Sequence, residues 1–505
     1  MTPTSRRAVL PALLMIVLLA ACAAAFDEPS AHAATPAERD MWPPAWQDAP
    51  QSSAVDFTPP AFDAPSATHC HRLPTTREVP GGGEQQNAGW RRGREKMESS
   101  RDELAKRSES AVMAPAAPAI EESRSAAGAV AADKSDRAFA PPPWPSQPQP
   151  QPQPQRLSHE PVTAGMVDDN ADFGEYLAYR QRSGHLPVRE RDISERYLLE
   201  VTDAQGHAVH DAEVAVQRPG VAQPVMWART DTAGRVWLHP RAFLSPELNN
   251  ERTLGVAVRK GGVQSRALLT RGQSQAVQVR LGQNMAAPMR LDLVFLVDAT
   301  GSMGDEIAKL KNSMRAMSQQ ISQLPGQPDI CYGLVAYRDR GDAFITRTHD
   351  FTDDLGAFQQ QLANVQAHGG GDTPEALNEA LHEVVHGLSW RAQAARMVVL
   401  VADAPPHLDY GGPQYDRDMQ AALSKGIKLF AVGASGLDPV GEYIYRQMAQ
   451  YTAGRFVFLT YRDASNPGSG PGTQTPHDVK QYSVQTLDKL VVRLVGEELA
   501  RLKRG

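Results

Sequence analysis

An alternation of buried strands and amphipathic helices that begins near residue 288 constrains the fold of this 505-residue chain more than any other feature. Residues 291–297 form a near-continuous apolar run, which is typical of a central strand that is covered on both faces. Similar runs and helical patterns follow it. The further predicted strands are 330–337, 343–348, 397–402, 428–432 and 456–459, and the predicted helices are 305–323, 354–365, 374–388, 414–425 and 439–451. This order predicts an α/β fold with a mostly parallel sheet and helices on both faces.

Five oxygen-bearing side chains fall in loops that follow these strands, at the edge where open α/β sheets bind their ligands. Asp298, Thr300 and Ser302 follow the first strand in the stretch DATGSMG, where glycine lets the loop turn tightly. Thr373 lies in GGGDTPE, and Asp403 ends a later strand in VADAPPH. Two carboxylates and three hydroxyls, with no cysteine among them, suit a hard cation such as Mg²⁺. We therefore predict a metal site formed by these five residues.

The three motifs together resemble, in order, spacing and context, the metal-ion-dependent adhesion site of the von Willebrand factor type A (vWA) domain. The resemblance implies that Thr300, Ser302 and Thr373 supply oxygens to the ion, some of them directly. It implies that Asp298 and Asp403 bind the ion directly or through water. The ion would be Mg²⁺, or alternatively Mn²⁺ or Ca²⁺, and an acidic side chain of a protein partner would complete its coordination.

The resemblance covers about residues 288–462 and implies the doubly wound, mostly parallel sheet of that family. It implies a protein that binds a protein partner through a divalent cation, in adhesion or in the assembly of a complex. The sequence has no Walker A lysine loop, G-x-S-x-G motif or kinase motif set, so enzymatic activity is not expected. Asp305 and Asp372 lie close to the motifs and are candidates only for indirect contacts with the ion. The net charge of −6, without a long basic run, argues against nucleic acid as a partner.

A different pattern, HEVVH at residues 382–386, matches the zinc-peptidase motif H-E-x-x-H. Apolar residues at helical spacing define the buried stripe of this helix and leave His382, His386 and Glu379 on its solvent side. A catalytic zinc also requires a third protein ligand, and Ser389 stands where the longer zinc motif has glycine. A zinc metallopeptidase that uses this helix is the alternative function. A structural envelope protein without metal-dependent binding is another.

The region before the vWA-like segment, residues 192–283, contains short strands separated by Gly and Asp turns and predicts a small β-sandwich. The runs VTDAQGHAVHDAEVAV and TDTAGRVWL resemble carboxypeptidase-regulatory-like and bacterial Ig-like domains. These domains are commonly spacers or adhesive modules. Because a small sandwich needs large inward residues, Trp227 and Trp237 are predicted to belong to its core.

The N-terminal residues have the pattern of an export signal. Arg6 and Arg7 precede an apolar run over 8–21, and the sequence LAAC then resembles a bacterial lipobox that ends in Cys22. The resemblance implies a signal peptide over residues 1–22, lipidation of Cys22, and a membrane-anchored lipoprotein of the cell envelope, in the periplasm or at the cell surface. The alternatives are cleavage at the A-x-A site of residues 31–33 or an uncleaved membrane anchor. The arginine pair also resembles a twin-arginine signal.

Residues 23–165 are rich in Ala, Pro, Ser and Gln and are predicted to form a disordered tether. Within them, PPPWPSQPQPQPQPQ at residues 141–155 suits an extended polyproline II spacer. Cys70 falls in this predicted tether, whereas Cys331 falls in a predicted buried strand. A disulfide framework is therefore not expected.

The C-terminal part of the chain, residues 463–505, is predicted to contain a loop and one helix. Glycine, proline and serine dominate residues 464–475, which indicates the loop. Apolar residues then follow helical spacing from Leu487 to Leu502. We expect this amphipathic helix to pack against the vWA-like body.

Overall fold

The computed structural model describes residues 70–82 and 160–502, apart from 222, 244–250, 286 and 372. The predicted signal peptide with Cys22 and most of the predicted tether, including 141–155, lie outside the described residues. In the part that is described, no helix combines the length and the apolar character that a membrane crossing requires.

The described elements alternate between strands and helices over most of the chain. In chain order they are β1 (Thr76–Pro80), β2 (Thr163–Val167), α1 (Phe173–Arg182), β3 (Tyr197–Thr202), β4 (Glu213–Gln217), β5 (Pro224–Arg229), β6 (Arg235–Leu238), α2 (Pro240–Phe243), β7 (Thr253–Lys260), β8 (Val263–Thr270), β9 (Val277–Arg280), β10 (Arg290–Asp298), a 3-10 turn (Gly301–Asp305), α3 (Ile307–Ser322), β11 (Asp329–Tyr337), β12 (Phe344–Thr352), α4 (Leu355–Ala363), α5 (Leu377–His382), a π-helical turn (Glu383–Gly387), β13 (Ala395–Ala402), α6 (Tyr415–Lys425), β14 (Ile427–Gly433), α7 (Pro439–Tyr451), β15 (Arg455–Asp463), β16 (Asn466–Pro471), β17 (Gln485–Thr486) and α8 (Leu487–Leu502).

The largest sheet has the strand order β1-β12-β11-β10-β13-β14-β15-β2-β17, and β16 pairs with β15. Its centre, from β11 through β10, β13 and β14 to β15, is parallel, whereas each pairing outside the centre, β12 with β11, β1 with β12, β2 with β15 and β17 with β2, is antiparallel. The predicted α/β class with a mostly parallel, helix-covered sheet is confirmed. Along β10, Leu293 and Phe295 belong to the core on one face, and Val294 and Leu296 belong to the core on the other. This two-sided burial explains why the strand has an apolar run rather than an alternating pattern.

Two local predictions differ from the structure. The predicted helix 374–388 is shorter, because α5 is followed by the π-helical turn Glu383–Gly387. The predicted loop over 464–475 is also wrong in part, since Asn466–Pro471 forms β16 and pairs with β15. Glycine and proline are typical of loops, but here they lie on an edge strand, where a missing N–H donor is tolerated.

Parts of the predicted tether belong to the main sheet, so that prediction is wrong for residues 70–82 and 163–165. Strand β1 pairs with β12 at one end of the sheet, and β2 pairs with β15 towards the other. Cys70 forms a disulfide with Cys331 of β11, with their Cα atoms 6.2 Å apart, although no disulfide was expected. A polar segment without periodicity is thus ordered by backbone pairing to a sheet edge and by one covalent bond.

Replacing Cys70 with serine is expected to destabilise the protein by about 2–5 kcal/mol, because the disulfide closes a loop across a sequence separation of 261 residues. The measurement is urea denaturation of the wild-type chain and of Cys70→Ser, each with and without a thiol reductant. Reductant should lower the wild-type midpoint to that of the variant and leave the variant unchanged. Equal midpoints for the oxidised wild type and the variant would contradict the prediction.

Two small sheets lie where the sandwich was expected, with strand orders β6-β3-β9 and β5-β4-β7-β8. Inward residues of both sheets share one core, and among them are Leu199, Val201, Val214, Val216, Val236, Leu254, Val256 and Val277. The two tryptophans are not in that core, which corrects the prediction. Trp227 packs on Ala215 and Ala257 on the outer face, and Trp237 lies 4.0 Å from the guanidinium of Arg196. Strand alternation places Met226 and Ala228 inward instead.

Buried ion pairs join the sandwich to the α/β body. Arg396 of β13 donates to Asp211 at 2.9 Å, and Lys428 of β14 donates to Asp231 at 3.0 Å. Lys428 also donates to Glu498 of α8 at 2.8 Å. The same apolar core continues from the sandwich into one face of the main sheet. The opposite face is covered by α3, α4 and α8. The sandwich is therefore packed on the body rather than separated from it by a linker.

Candidate metal centre

The carboxyl ends of β10 and β13 meet at one edge of the sheet because the two strands are parallel neighbours. Strand β10 ends at Asp298, and β13 ends at Ala402, immediately before Asp403. Both aspartates are buried. The chain then turns through the 3-10 segment, which carries Ser302 next to Thr300. The topology thus brings together residues that are about a hundred positions apart.

Hydrogen bonds organise the first loop around Asp298. The Thr300 N–H and hydroxyl both donate to Asp298 Oδ1, at 2.9 and 2.7 Å. The hydroxyls of Thr300 and Ser302 lie 3.1 Å apart. Asp298 Oδ2 and Asp403 Oδ1 are buried, and neither has a hydrogen-bond partner among the residues that the structure describes. Buried carboxylate oxygens normally have hydrogen-bond partners, so these two oxygens indicate that the site takes a positively charged ligand.

Burial and mutual repulsion disfavour the state in which Asp298 and Asp403 are both ionised. Burial raises the pKa of Asp298 to about 7, and the nearby Asp403 carboxylate adds to the shift. Burial likewise raises the pKa of Asp403, against a hydrogen bond from Ser302 that lowers it. Without a cation, Asp298 therefore holds a proton close to neutral pH, although an aspartate ordinarily loses it far below that pH.

The glycine-rich loop before Thr373 approaches the same place. The Gly301 N–H donates to the Gly369 carbonyl at 2.8 Å, and a Cβ atom on Gly370 would lie 3.1 Å from the Thr300 Cβ. Thr373 itself is exposed. The structure thus joins Asp298, Thr300, Ser302 and Asp403 directly and puts Thr373 at the end of a loop that contacts them. Asp372 and the side chain of Asp305 lie outside the described part of the chain.

A buried glutamate beside the site was not singled out from the sequence. Glu375 is 2% exposed, and its Oε2 has no hydrogen-bond partner within the described ranges. Burial raises its pKa to about 9, with contributions from Asp298, Asp339, Asp342 and Asp403 in the same cluster. Its backbone bonds to Pro405 and His407, which fixes it between two of the three motif loops. Its position two residues after Thr373 was the only sequence signal that could have found it.

A cavity of about 440 Å³ opens beside Ser302. Its lining includes Glu306 and Lys309 from the α3 side, Ser435 after β14, and Tyr461 of β15. Glu306 is fixed there, because it accepts hydrogen bonds from the Tyr461 hydroxyl at 2.5 Å and from the Ser435 N–H at 3.3 Å. The rim of the site therefore continues into a groove with both polar and apolar walls.

The H-E-x-x-H helix has a third potential ligand that its sequence motif did not reveal. His382 Nδ1 and His386 Nε2 each lie 3.0 Å from Asp418 Oδ1 on α6. Both histidines were predicted to face solvent. His382 is 49% exposed, whereas His386 is only 23% exposed. Glu379 is paired with Arg340 and is mostly buried, contrary to the predicted exposure.

Residues 292–465 match the von Willebrand factor type A domain family, so the chain contains a vWA domain, as the motifs predicted. The similar proteins include an alpha-protein kinase, vwkA, of Dictyostelium discoideum, which is 30% identical over 119 residues, 23% of this chain and 19% of that protein. They also include von Willebrand factor A domain-containing protein 7 of Homo sapiens, 39% identical over 89 residues, 18% of this chain and 9% of that protein. The chain thus spans a fifth or less of the length of these relatives, and the likeness is that of one domain.

Proposed function

We propose that the chain is a divalent-cation-dependent protein-binding module that acts in adhesion or in complex assembly at the bacterial cell envelope. A vWA domain is commonly a metal-dependent protein-interaction module, and this chain contains one. The observation that carries the proposal is a pair of buried oxygens, Asp298 Oδ2 and Asp403 Oδ1, that have no hydrogen-bond partner within the described residues and lie next to the hydroxyls of Thr300 and Ser302. An oxygen-only donor set of this kind fits a hard cation.

The proposed ligands are Asp298, Thr300, Ser302, Thr373 and Asp403, and the ion is Mg²⁺, with Mn²⁺ and Ca²⁺ as chemically similar alternatives. The bound ion would supply a positive charge that an aspartate or glutamate of a protein partner can approach. The chain's own residues orient this position: Thr300 fixes the Asp298 carboxylate, and exposed Ser302 and Thr373 leave one side open to solvent. The groove beside Ser302 gives the partner further surface to contact.

The hydrogen bonds of Glu383 argue against the alternative function, a zinc peptidase that uses the H-E-x-x-H helix. Glu383, which a zinc peptidase would need as a free base, accepts hydrogen bonds from Arg77 of β1 and Thr348 of β12. Both hydrogen bonds go to Glu383 Oε1, so this oxygen is already engaged by protein donors. We therefore propose that the protein is not an enzyme.

The proposed location at the cell envelope draws support from the Cys70–Cys331 disulfide. Disulfides persist in oxidising compartments and are rare in the cytosol. Together with the lipobox-like sequence at Cys22, this supports export and attachment to the membrane through a lipid, in the periplasm or at the cell surface. Changing Cys22 to alanine should then release the protein from the membrane fraction.

The first test of the proposed site is calorimetric titration of Mg²⁺ into the wild-type chain, Asp403→Asn and the control Asp353→Asn. Asp353 is an exposed aspartate, so the control loses the same charge away from the site. We expect Asp403→Asn to weaken binding by at least about 100-fold, since loss of a partner that only orients a ligand already costs 10–100-fold. The control should bind as the wild type does.

Partner binding is tested in the same variants. Proteins retained by the immobilised wild type in Mg²⁺ should be released by a chelator and should not be retained by Asp403→Asn. Wild-type protein that binds no Mg²⁺, alone or with a retained partner, would instead support the structural alternative.

A further inference from the structure

Two histidines and one aspartate meet where the π-helical turn after α5 packs against α6. His382 Nδ1 and His386 Nε2 both approach Asp418 Oδ1 at 3.0 Å, and all three donor atoms lie within 4.8 Å of one another. We propose that His382, His386 and Asp418 form a second cation site, for a late first-row transition ion such as Zn²⁺, separate from the oxygen site at the sheet edge.

The spacing of the donors suits one ion. Bonds of about 2.1 Å from zinc to nitrogen or oxygen in a tetrahedral arrangement place neighbouring donors roughly 3.4 Å apart. The two distances to Asp418 are already close to this value. The remaining distance, between His382 Nδ1 and His386 Nε2, is at most 4.8 Å. Because His382 is 49% exposed, its ring has room to rotate and shorten this distance.

The two histidines lie at a local departure from α-helical geometry. The segment after His382 is π-helical rather than α-helical, and the rings of His382 and His386 have centroids 4.4 Å apart. π-Helical turns are rare and are found frequently at functional sites. The third donor comes from a different element, so an ion would link α5 to α6.

The aspartate supplies a second, independent sign of a ligand. Asp418 is only 4% exposed, and its Oδ2 has no hydrogen-bond partner in the part of the chain that is described. A buried carboxylate usually satisfies both of its oxygens. A cation held by the two imidazoles would provide a positively charged partner for the buried carboxylate.

Donor chemistry separates this site from the one at the sheet edge. Imidazole nitrogens select zinc, copper, nickel or iron, whereas carboxylates and hydroxyls alone select magnesium, calcium or manganese. Two imidazoles with one carboxylate leave further coordination positions open, and His382 is 49% exposed. The site therefore suits an ion that keeps water or accepts one more donor from outside. Glu383, which lies between the two histidines in the sequence, is held at Oε1 by Arg77 and Thr348.

The test is calorimetric titration of Zn²⁺ into the chelator-treated whole chain without a histidine tag, in excess Mg²⁺ to occupy the other site. The variants are His382→Ala and Asp418→Asn, and the control is His185→Ala, an exposed histidine outside the cluster. We expect the wild type and the control to bind one more equivalent of Zn²⁺ than the two variants, or to bind it at least about 100-fold more tightly. Zn²⁺ should also raise the melting temperature of the wild type but not of the variants.

Circular dichroism of each variant shows whether it is folded, and Asp418→Asn preserves the volume at the helix interface. Identical Zn²⁺ binding by the wild type, His382→Ala and Asp418→Asn would overturn the proposal and leave a hydrogen-bonded triad without an ion. The variant Asp298→Asn should retain its Zn²⁺ binding here, so the failure of either site can be told from the failure of the other.

Discussion

Replacing Asp298 with asparagine is expected to stabilise the metal-free protein at pH 7 and to abolish its stabilisation by Mg²⁺. In the wild type, Asp298 Oδ2 is buried with no hydrogen-bond partner in the described part of the chain, although the Tyr337 hydroxyl is near enough to lower the pKa of Asp298, and the charge of Asp403 raises it. A buried carboxylate left in this state costs about 1–3 kcal/mol or more. The amide has nearly the same shape, keeps an oxygen for the Thr300 donors and carries no charge. We therefore expect a gain of about 1–3 kcal/mol in a chelator.

The pH dependence identifies the cause of this gain. Asp298 ordinarily has a pKa of 3.8, and burial raises it to about 7 in the folded protein. Between these two values the folded state holds a proton that the unfolded state has released, so wild-type stability falls as pH rises. The variant lacks this carboxylate, whereas Asp403 and Glu375, whose pKa values are also raised, remain in both proteins. The two proteins should thus be equally stable near pH 4 and should diverge towards pH 7.

The measurement is urea denaturation of both proteins at pH 4 and pH 7, with a chelator or with saturating Mg²⁺. Asp353→Asn serves as the matched control, because it removes one exposed carboxylate. Mg²⁺ should restore the stability of the wild type at pH 7 and have no effect on Asp298→Asn. A variant that is less stable than the wild type in chelator would show that the carboxylate is satisfied without an ion.

The largest loss of stability is expected from Asp211→Asn, at about 3–5 kcal/mol. Burial by itself would raise the pKa of Asp211, but Arg396, Arg229 and Lys260 hold it well below its ordinary value. Asp211 also accepts the Gln393 N–H at 3.0 Å. Removing the negative charge leaves Arg396 buried with its main anionic partner gone. Asparagine tolerates the left-handed backbone of this position, where φ is 55°, so the change probes charge alone.

Because Asp211 belongs to the sandwich and Arg396 to β13, the same change should weaken the attachment of the sandwich to the vWA domain. Hydrogen exchange should rise along β4 and in the interface residues around Gln393, and the urea midpoint should fall. Asp192→Asn is the control, since its ion pair with Arg241 is exposed and such pairs contribute about 0–1 kcal/mol. A loss for Asp211→Asn no greater than for the control would mean that the buried ion pairs do not hold the two parts together.

Much of the vWA domain was predictable because its signals are local. A strand buried on both faces needs an apolar run, and β10 has one; a tight loop that presents alternate side chains needs glycine, and DATGSMG has it. The order of strands and helices then determined that Asp298 and Asp403 would meet at one edge. Four of the five predicted ligands are joined there by hydrogen bonds or by shared electrostatics, and the fifth lies on a loop that contacts them.

Local sequence patterns could not identify residues whose structure depends on contacts with residues far away in the sequence. The sequence around residues 70–82 is polar and has no periodicity, and its order comes from pairing with β12 and from Cys331, 261 positions away. Asp418 lies 32 residues beyond His386, and no motif links them. Trp227 and Trp237 face outward because the register of a strand decides which residues are inside.

Local pattern therefore determined the fold class, the motif loops and which oxygen-bearing side chains are proposed to bind the ion. Only the tertiary structure decided how the sheet ends at its two edges, which cysteines pair, and which carboxylate approaches the two histidines. The physical reason is that periodicity reports the burial of one element at a time. Charge pairing, disulfides and shared metal ligands instead depend on distances between elements, and these distances exist only once the chain has packed.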